Sequence, residues 1–453
     1  MLEYAHEIYK RYKKNNLSET LEYYEHHREL LERRENAIQT IGVSYHRMYD
    51  GGVERVLSNL LSIWTKMKYT VILFTEEGAN SRDYYYPKEV QRIIIPVIND
   101  LEKRLYKLEK EICAQNVDVF IENIWESEVV LWEMLLVKSH HIPFMIYTHG
   151  HFTAIYADAN DYAMVSNRVF AMADLVIALS GTNKQFYQLC RCHVEQIENP
   201  IVKNLRDIQP AHSERENHRI LWIGRITEGK RINDAIKIFA EVKKKISDAE
   251  LDVVGSGEAQ NEEKAKSLCI ELGIGDSVHF HGYQAEVEKF YQNSAVMLMT
   301  SEKEGYPTVL LECKAYGRAC VMYSLPYLSL VKDAKGISTS EIGDIDGIAA
   351  QLCETLLEYQ LRYGLENEAR ESFVELCKYN HGAKWQEIFR ELSQEESEFL
   401  EETQDTLMMG MLLDVLRAGI DCRVSGSFEY QVGKEVLRIP RKILQLVRNR
   451  SDE

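Results

Sequence analysis

Two glutamates eight residues apart, Glu304 and Glu312, bracket the stretch of this sequence whose residue types point most directly to chemistry. The apolar run 295–299 predicts a buried strand, the Gly and Pro that follow Glu304 predict a tight loop, and a helix is predicted to begin at Thr308. Unpaired N–H groups at a helix start bind anions, whereas carboxylates repel a phosphate and suit neutral hydroxyls beside it. The stretch therefore predicts a site for a nucleotide sugar, which carries hydroxyls on both sides of its phosphates.

Glycines and cations follow two other predicted strands. Gly51 and Gly52 open a helix, so the backbone there can pass close to a ligand, and a plain tight turn is the alternative. Gly224 precedes Arg225 and Lys230, whose guanidinium fork and ammonium charge suit phosphate oxygens. Two solvated surface cations are the alternative, but the position at the end of a strand favours phosphate binding.

Two weaker signals complete the candidate set. Gly255 stands in a Gly-Ser-Gly turn after a strand, but the full dinucleotide-binding fingerprint with its acidic residue is missing. His149 also follows a strand, where it would donate a hydrogen bond to a substrate or serve as a structural histidine. Neither residue indicates a function by itself.

The elements that must position these residues alternate between strand and helix along most of the chain. Such alternation implies parallel strands with crossover helices, which is a doubly wound α/β fold. The alternation starts twice, so the sequence predicts two Rossmann-like domains whose ligands bind in the cleft at the carboxyl ends of the strands. The strands are predicted at 38–43, 70–75, 92–97, 117–122, 143–147 and 175–179, and then at 220–224, 251–255, 278–282, 295–300 and 319–323.

Additional segments flank the two domains. The polar stretch 207–218 is the best candidate for a linker between them, and 373–392 is predicted as one packing helix. The predicted segments are a helical arm at 1–36, an N-terminal domain at 37–204, a C-terminal domain at 205–372, and C-terminal helices with a basic amphipathic tail at 373–453.

Composition narrows the function classes. The chain has 453 residues, and its formal charge of −17 argues against a partner that is a nucleic acid, because broad binding of that kind needs a basic face. Nine Cys without paired metal spacing are typical of thiols in a reducing cytoplasm. The start of the chain has no signal-peptide pattern, and no apolar run approaches the length of a membrane span. We therefore expect a cytoplasmic protein.

The closing segment 430–450 is basic in an acidic protein and alternates cationic with aliphatic residues at helical spacing. Arg438 and Lys442 would meet anionic head groups while Ile439 and Leu444 enter the interface, which would make the protein peripheral on the inner face of the cell membrane. The alternative is a tail helix packed on the core, with its cations reaching out to water.

These features together resemble a known family. The tandem domains, the turn and helix start at 51–56, Gly224-Arg225 with Lys230, and the Glu304-to-Glu312 element are similar to those of family 4 retaining glycosyltransferases of GT-B fold, of the bacterial surface-polysaccharide type. The resemblance covers residues 37–392. The loop 324–328 departs from it, because many relatives carry a glycine-rich turn and an acidic residue there.

The resemblance implies a role for each matching residue. Glu312 would bind the ribose hydroxyls of the nucleotide, and Glu304 the hydroxyls of the donor hexose. Arg225 and Lys230 would neutralise the diphosphate in place of a metal ion, so no metal or other cofactor is expected. His149 would lie near the donor sugar and the acceptor. The remaining residues expected to bind substrate are Gly51, Gly52, Gly224, Gly255, Gly305, Tyr306, Pro307, Thr308 and Val309.

The predicted function follows from these roles. It is the retaining transfer of a hexose from a nucleoside-diphosphate sugar, UDP rather than GDP, to a glycan or lipid-linked acceptor in cell-surface polysaccharide synthesis. The resemblance implies that retention comes from attack on the same face that the phosphate leaves, with the phosphate taking the acceptor's proton, so no nucleophile is assigned. A double displacement through a carboxylate is the alternative, but nothing in the sequence places a carboxylate for it. The alternative functions are a non-catalytic GT-B subunit that scaffolds another glycosyltransferase and an NAD-dependent dehydrogenase without its fingerprint.

Overall fold

The computed structural model describes residues 3–394 apart from 15–16, 33–34, 50, 156–160 and 202, and in addition 403–406, 408–410 and 412. Within these residues the chain forms two parallel β-sheets, one of seven strands and one of six. Both sheets are packed on each face by buried side chains, so the prediction of two Rossmann-like domains is confirmed. The basic tail predicted at 430–450 lies outside the described residues.

The N-terminal domain is built on the seven-stranded sheet. Its strands are β1 (Thr40–Tyr45), β2 (Thr70–Thr75), β3 (Gln91–Ile94), β4 (Val119–Glu122), β5 (Phe144–Tyr147), β6 (Leu175–Ala178) and β7 (Val194–Gln196). They lie in the order β3-β2-β1-β4-β5-β6-β7, and every neighbouring pair is parallel. Because successive side chains of a strand point to opposite faces of the sheet, Leu73 packs in the core on one face and Phe74 in the core on the other.

Helices cover both faces of this sheet. They are α1 (Glu3–Lys14), α2 (Leu17–His26), α3 (Gly52–Lys66), α4 (Leu101–Ala114), α5 (Val129–Ser139), α6 (Asp161–Ala171), α7 (Gly181–Leu189) and α8 (Lys203–Arg206). The predicted helical arm corresponds to α1 and α2. The Glu109 carboxylate of α4 accepts hydrogen bonds from the N–H groups of Tyr4 (3.2 Å) and Ala5 (3.1 Å), which fastens the first turn of α1 to the domain.

The C-terminal domain repeats the plan on the six-stranded sheet. Its strands are β8 (Arg219–Ile223), β9 (Glu250–Val254), β10 (Val278–Gly282), β11 (Val296–Met299), β12 (Ala319–Tyr323) and β13 (Ile337–Ser340), and its helices are α9 (Ile232–Lys245), α10 (Ala259–Glu271), α11 (Glu288–Asn293), α12 (Thr308–Ala315), α13 (Ile345–Leu357) and α14 (Tyr359–Leu376). The strand order is β10-β9-β8-β11-β12-β13, again with parallel neighbours. The predicted strand, loop and helix around Glu304 correspond to β11, the loop after it and α12.

The last long helix, α15 (His381–Leu392), returns to the N-terminal domain. Its Trp385 packs edge-on against Trp64 of α3, with ring centroids 5.0 Å apart and both side chains fully buried. The prediction of a single helix over 373–392 is wrong, because α14 ends at Leu376. A new helix starts because the Asn380 side chain accepts a hydrogen bond from the N–H of Ala383 (3.1 Å), as an N-cap does.

Two short strands, β7 and β13, were not predicted from the sequence. Each lies at an edge of its sheet and is only partly buried, so neither carries the apolar run that identified the other strands. Within the described part of the chain, no helix combines the length and the apolar character needed to span a membrane.

Candidate active site

A cavity of about 540 Å³ opens between the carboxyl ends of the two sheets. It brings together five residues that the sequence singled out: His149 from the N-terminal domain and Arg225, Lys230, Glu304 and Gly305 from the C-terminal domain. Each follows the end of a parallel strand, which is where doubly wound folds bind ligands. The structure thus joins three separate sequence signals in one place.

Lys230 and Glu304 form an ion pair inside this cavity. The loop that carries Lys230 is held by the hydroxyl of Thr300, which donates to the Lys230 carbonyl (2.9 Å). The indole N–H of Trp222 donates in turn to that hydroxyl (3.1 Å), and Arg231 takes the left-handed conformation, φ 50°, to begin α9. The ammonium group is therefore carried on a loop that is tied to the end of β11.

Arg225 stands beside this pair with an exposed side chain. Among the described residues, no hydrogen-bond or ion-pair partner is found for its guanidinium. The acidic side chain of Glu54 and the phenol of Tyr45 lie near enough to interact with its charge. A guanidinium without a committed partner in a cleft is suited to bind an anion through its fork.

The loop after β11 is pinned on both sides. The backbone N–H of Glu304 donates to the Tyr327 hydroxyl (2.9 Å), and burial raises the pKa of this phenol. Gly305 lies against the N-terminal domain so closely that an added Cβ would come 2.5 Å from the His149 carbonyl oxygen and 2.8 Å from Gly150 Cα. Glycine is needed here because the two backbones meet without room for a side chain.

His149 is held in one tautomer by its neighbours. The Asn123 side chain donates to the Ser44 carbonyl (3.0 Å), so its Oδ1 faces His149 Nε2 at 2.7 Å and must accept from it. The pKa of His149 falls to about 3 because burial disfavours the charged form. The ring is therefore neutral, and its buried Nδ1 has no partner within the described residues. These contacts fit a structural histidine, whereas a hydrogen bond donated to a substrate would require Asn123 to give up the one N–H of the ring.

Glu312 lies in a different cavity, of about 580 Å³, on the other side of the α12 start. Its carboxylate forms an ion pair with Arg55 of α3 and accepts a hydrogen bond from the Tyr291 hydroxyl (3.0 Å). The two glutamates thus point into separate spaces. Their spacing along a loop and helix produces this divergence, because Glu304 precedes the helix and Glu312 lies inside it.

The other residues predicted to bind substrate line neither of the two cavities. A methyl group on Gly51 would run into the Glu54 carboxylate, which occupies the start of α3 where an anion was expected, while Gly52 faces open space. Gly224 and Gly255 pack on each other, because a Cβ on Gly255, at φ +130°, would collide with the Gly224 carbonyl. The backbone contact gives a structural reason for Gly255, whereas a Cβ on Gly224 would meet its neighbours only at ordinary van der Waals distances.

Tyr306 turns away from the cavities. Its ring is buried, and its hydroxyl lies near the Glu198 carboxyl, in the segment where the chain crosses between the domains. Burial raises the pKa of Glu198, and the nearby hydroxyls of Ser329 and Tyr306 lower it by less. Pro307 is the N-cap residue of α12, and Thr308 and Val309 form its first turn.

Several residues of the site were not found from the sequence. His46, Trp125 and Glu126 line the 540 Å³ cavity, and His46 Nδ1 lies 2.6 Å from a Glu76 oxygen. Arg55 was noted only as part of a helix start. A signal existed for His46, because it follows β1 as His149 follows β5, but the Arg55–Glu312 contact joins residues 257 positions apart and left no local pattern.

The described residues include no group of three or more His, Cys, Asp or Glu side chains placed to hold a metal ion.

Two family models match the chain, one for each domain. The model described as "Glycosyltransferase Family 4" matches residues 50–202, and the model described as "Glycosyl transferases group 1" matches residues 206–372. Together the two matches contain every candidate site residue, and they leave the helical arm and the C-terminal segment unmatched.

Relatives and solved structures agree with these matches. The amylovoran biosynthesis glycosyltransferase AmsD of Erwinia amylovora is 25% identical over 359 residues, which cover 75% of this chain and 95% of AmsD. An uncharacterized glycosyltransferase of Haemophilus influenzae is 26% identical over 291 residues, 60% of this chain and 77% of its own. The crystal structure of Anabaena HepE in complex with UDP and glucose superposes with a TM-score of 0.65 at 14% identity, covering 78% of this chain and 99% of HepE. This last likeness shows a shared fold.

Proposed function

We propose that this chain, which belongs to the family 4 glycosyltransferases of GT-B fold, transfers a hexose with retention from a nucleoside-diphosphate sugar, UDP rather than GDP. The observation that carries the proposal is the division of charged groups between two adjoining cavities. Glu304, Lys230 and Arg225 line one, and Glu312 lines the other. A nucleotide sugar has two hydroxyl-bearing ends and a dianionic centre, which matches that division.

The donor would span both cavities. Its ribose hydroxyls would bind Glu312 and its hexose hydroxyls would bind Glu304, with the diphosphate between them. Lys230 is paired with Glu304 in the structure, so it would move from this carboxylate to a phosphate oxygen when donor arrives. Arg225 needs no such exchange, because no described residue pairs with it. A carboxylate relieved of its cation can accept hydrogen bonds from sugar hydroxyls.

The two cations also supply the chemical step. Breaking the bond between the anomeric carbon and the diphosphate leaves negative charge on the phosphate oxygens, and preorganised cations lower the energy of that state. Arg225 and Lys230 would take the place of a metal ion here, so we expect activity in EDTA. Retention would follow if the acceptor hydroxyl attacks the anomeric carbon from the same face that the diphosphate leaves. The leaving phosphate would take the proton of the acceptor hydroxyl, and no nucleophilic residue is assigned.

The acceptor would enter from the N-terminal side of the 540 Å³ cavity, where His46, Trp125 and Glu126 form the wall. A saccharide suits this wall, because aromatic faces and hydrogen-bonding groups together bind sugars. The relative AmsD is a glycosyltransferase of amylovoran biosynthesis, which supports a glycan or lipid-linked acceptor in cell-surface polysaccharide synthesis.

Contact of residues 430–450 with an anionic membrane is a separate hypothesis. If the full chain and a chain without residues 430–453 pelleted equally with anionic liposomes, that hypothesis would be wrong.

Calorimetric titration with UDP and GDP in EDTA tests the proposal. We expect wild-type protein to bind UDP more tightly than GDP, and Glu312→Ala to lose at least about tenfold in affinity, as the loss of a charge-assisted hydrogen bond implies. Binding of neither nucleotide would contradict the assignment, and so would a substitution without effect. Slow hydrolysis of UDP-glucose or UDP-galactose without acceptor distinguishes an enzyme from a non-catalytic scaffold, which would bind nucleotide but release no sugar.

A further inference from the structure

Both oxygens of the Glu312 carboxylate are already occupied in the structure. Oε1 is paired with Arg55 Nη1, and Oε2 accepts the hydrogen bond of the Tyr291 hydroxyl at 3.0 Å. The side chain of Glu312 is only 3% exposed. Each oxygen has a second lone pair, but a carboxylate buried this deeply leaves a ribose diol no approach unless one of the two partners moves.

Arg55 is the partner that can leave. Tyr291 is fully buried, belongs to the same domain as Glu312, and stacks on Tyr316 with ring centroids 5.0 Å apart. Arg55 is 27% exposed at the wall of the 580 Å³ cavity and comes from α3 of the other domain. Its side chain can swing into the cavity, or the domains can separate, without disturbing the core around Tyr291.

A second contact between the domains lies beside Arg55. The phenol of Tyr84, from the loop between β2 and β3, lies close to that of Tyr283, which follows β10 in the C-terminal domain. The guanidinium of Arg55 is also near Tyr84. Arg55 and Tyr84 of one domain thus lie near Glu312 and Tyr283 of the other, which places the ion pair within the contact between domains.

We propose that Arg55 competes with the ribose of the donor for Glu312. Arg55 pairs with Glu312 when the cleft is empty, and the nucleoside of the donor displaces it. The inference rests on the proposed function, because it takes Glu312 as the ribose ligand. The apparent affinity for donor is then reduced by the fraction of molecules in which Arg55 holds the carboxylate. Arg55 therefore sets donor affinity, and the coupling is reciprocal: bound nucleoside weakens the contact between domains.

The same geometry explains why the pair exists. A carboxylate buried as deeply as Glu312 is strongly unfavourable without a compensating partner. In the empty cleft Arg55 supplies that compensation, and in the occupied cleft the ribose hydroxyls and Tyr291 supply it. Removing Arg55 should therefore destabilise the empty protein and favour the bound state.

Titration with a neutral nucleoside isolates this competition, because uridine and guanosine carry no phosphate that Arg55 could attract. We expect Arg55→Met to bind uridine at least about fivefold more tightly than wild type, which is the lower end of usual coupling between sites. The matched control is Arg219→Met. Arg219 is 35% exposed and pairs with Glu250 and Asp252, within the C-terminal domain and outside both cavities, so uridine affinity should not change.

Weaker or unchanged nucleoside binding by Arg55→Met would overturn the inference, as would failure of either protein to bind uridine or guanosine while both bind UDP. If Arg55→Met does not fold, Arg55→Lys is the second variant, because it keeps the charge but loses the guanidinium fork. Arg55→Lys should still bind uridine more tightly than wild type. An affinity for uridine at or below that of wild type would overturn the inference. Failure of the proposed function gives a different result. Wild-type protein would then bind neither UDP nor GDP, or Glu312→Gln would bind them unchanged.

Discussion

The two glutamates of the candidate site are both ion-paired, but the pairs differ in what they connect. Lys230 and Glu304 belong to the same domain, and their pair opens into the cavity where sugar and phosphate would lie. Arg55 and Glu312 belong to different domains, and their pair lies at the neighbouring cavity. The first pair can exchange partners locally, whereas breaking the second changes a contact between domains. Under the proposed roles, one motif would combine a chemical function with a conformational one.

The largest effect should follow from removing the local pair. Lys230→Met takes away a cation that would stabilise the leaving diphosphate, so turnover of UDP-sugar should fall about 10²–10³-fold. The thermal unfolding midpoint should change little, because Lys230 is 24% exposed and its loop is held by Thr300. Chromatographic assay of released UDP measures the loss.

The matched control is Lys244→Met on the exposed surface of α9, where Lys244 pairs with Glu241 at 2.6 Å and is 67% exposed. Turnover of this variant should equal that of wild type, because exposed pairs contribute little. If Lys230→Met retained turnover within threefold of wild type, the assignment of Lys230 to the phosphate would be wrong.

A smaller effect, on stability, should follow from forcing the domains apart at the loop. Gly305→Ala places a methyl group against the His149 carbonyl and Gly150 Cα, so unfolding free energy should fall by about 1–3 kcal/mol. Denaturant unfolding measures the change. Gly364→Ala in α14 has open space around it and should instead gain about 0.5–1 kcal/mol. Equal stability of the two variants would show that the domains do not meet at Gly305 in solution.

The effect that is smallest at neutral pH is a pH dependence of the unfolding free energy that comes from His149. Burial holds the pKa of His149 at about 3, below its usual value of about 6.5, so between these values the unfolded chain binds a proton that the folded chain does not. The stability from this histidine is complete above about pH 6.5 and declines as pH falls, by up to about 1.4 kcal/mol per unit.

His149→Gln should flatten this decline in urea unfolding measured at pH 7, 6 and 5. Part of the slope should persist, because burial and then the charge of Arg206 hold the pKa of His381 at about 4. An identical slope in wild type and His149→Gln would mean that His149 is not buried and neutral in the folded protein.

Much of the fold and part of the site could be predicted because their signals are local. The run before Glu304, the Gly and Pro after it and the helix from Thr308 occupy a single short stretch, and β11, the loop and α12 follow it closely. Lys230 and Arg225 could be placed near this stretch because strand ends in a doubly wound sheet share one edge.

Contacts that depend on the arrangement of the two domains could not be predicted. In the sequence, Arg55 is an ordinary residue in the first turn of a predicted helix. Nothing near it in the sequence indicates that it contacts Glu312. The same holds for Gly305, whose requirement for glycine comes from the backbone of His149 in the other domain. The spacing of the two glutamates separates them locally, but the partner that Glu312 finds depends on where α3 packs.

The most direct test of this division compares UDP with UDP-glucose and UDP-galactose in titrations of Glu304→Gln and Glu312→Gln. Glu312→Gln should weaken binding of UDP and of the UDP-sugars by the same factor, at least about tenfold, because the ribose is common to all of them. Glu304→Gln should leave UDP affinity unchanged or raise it, since Lys230 is released to the phosphates, and should weaken only the UDP-sugars. If Glu304→Gln weakened UDP as much as Glu312→Gln does, the two glutamates would not grip opposite ends of one donor.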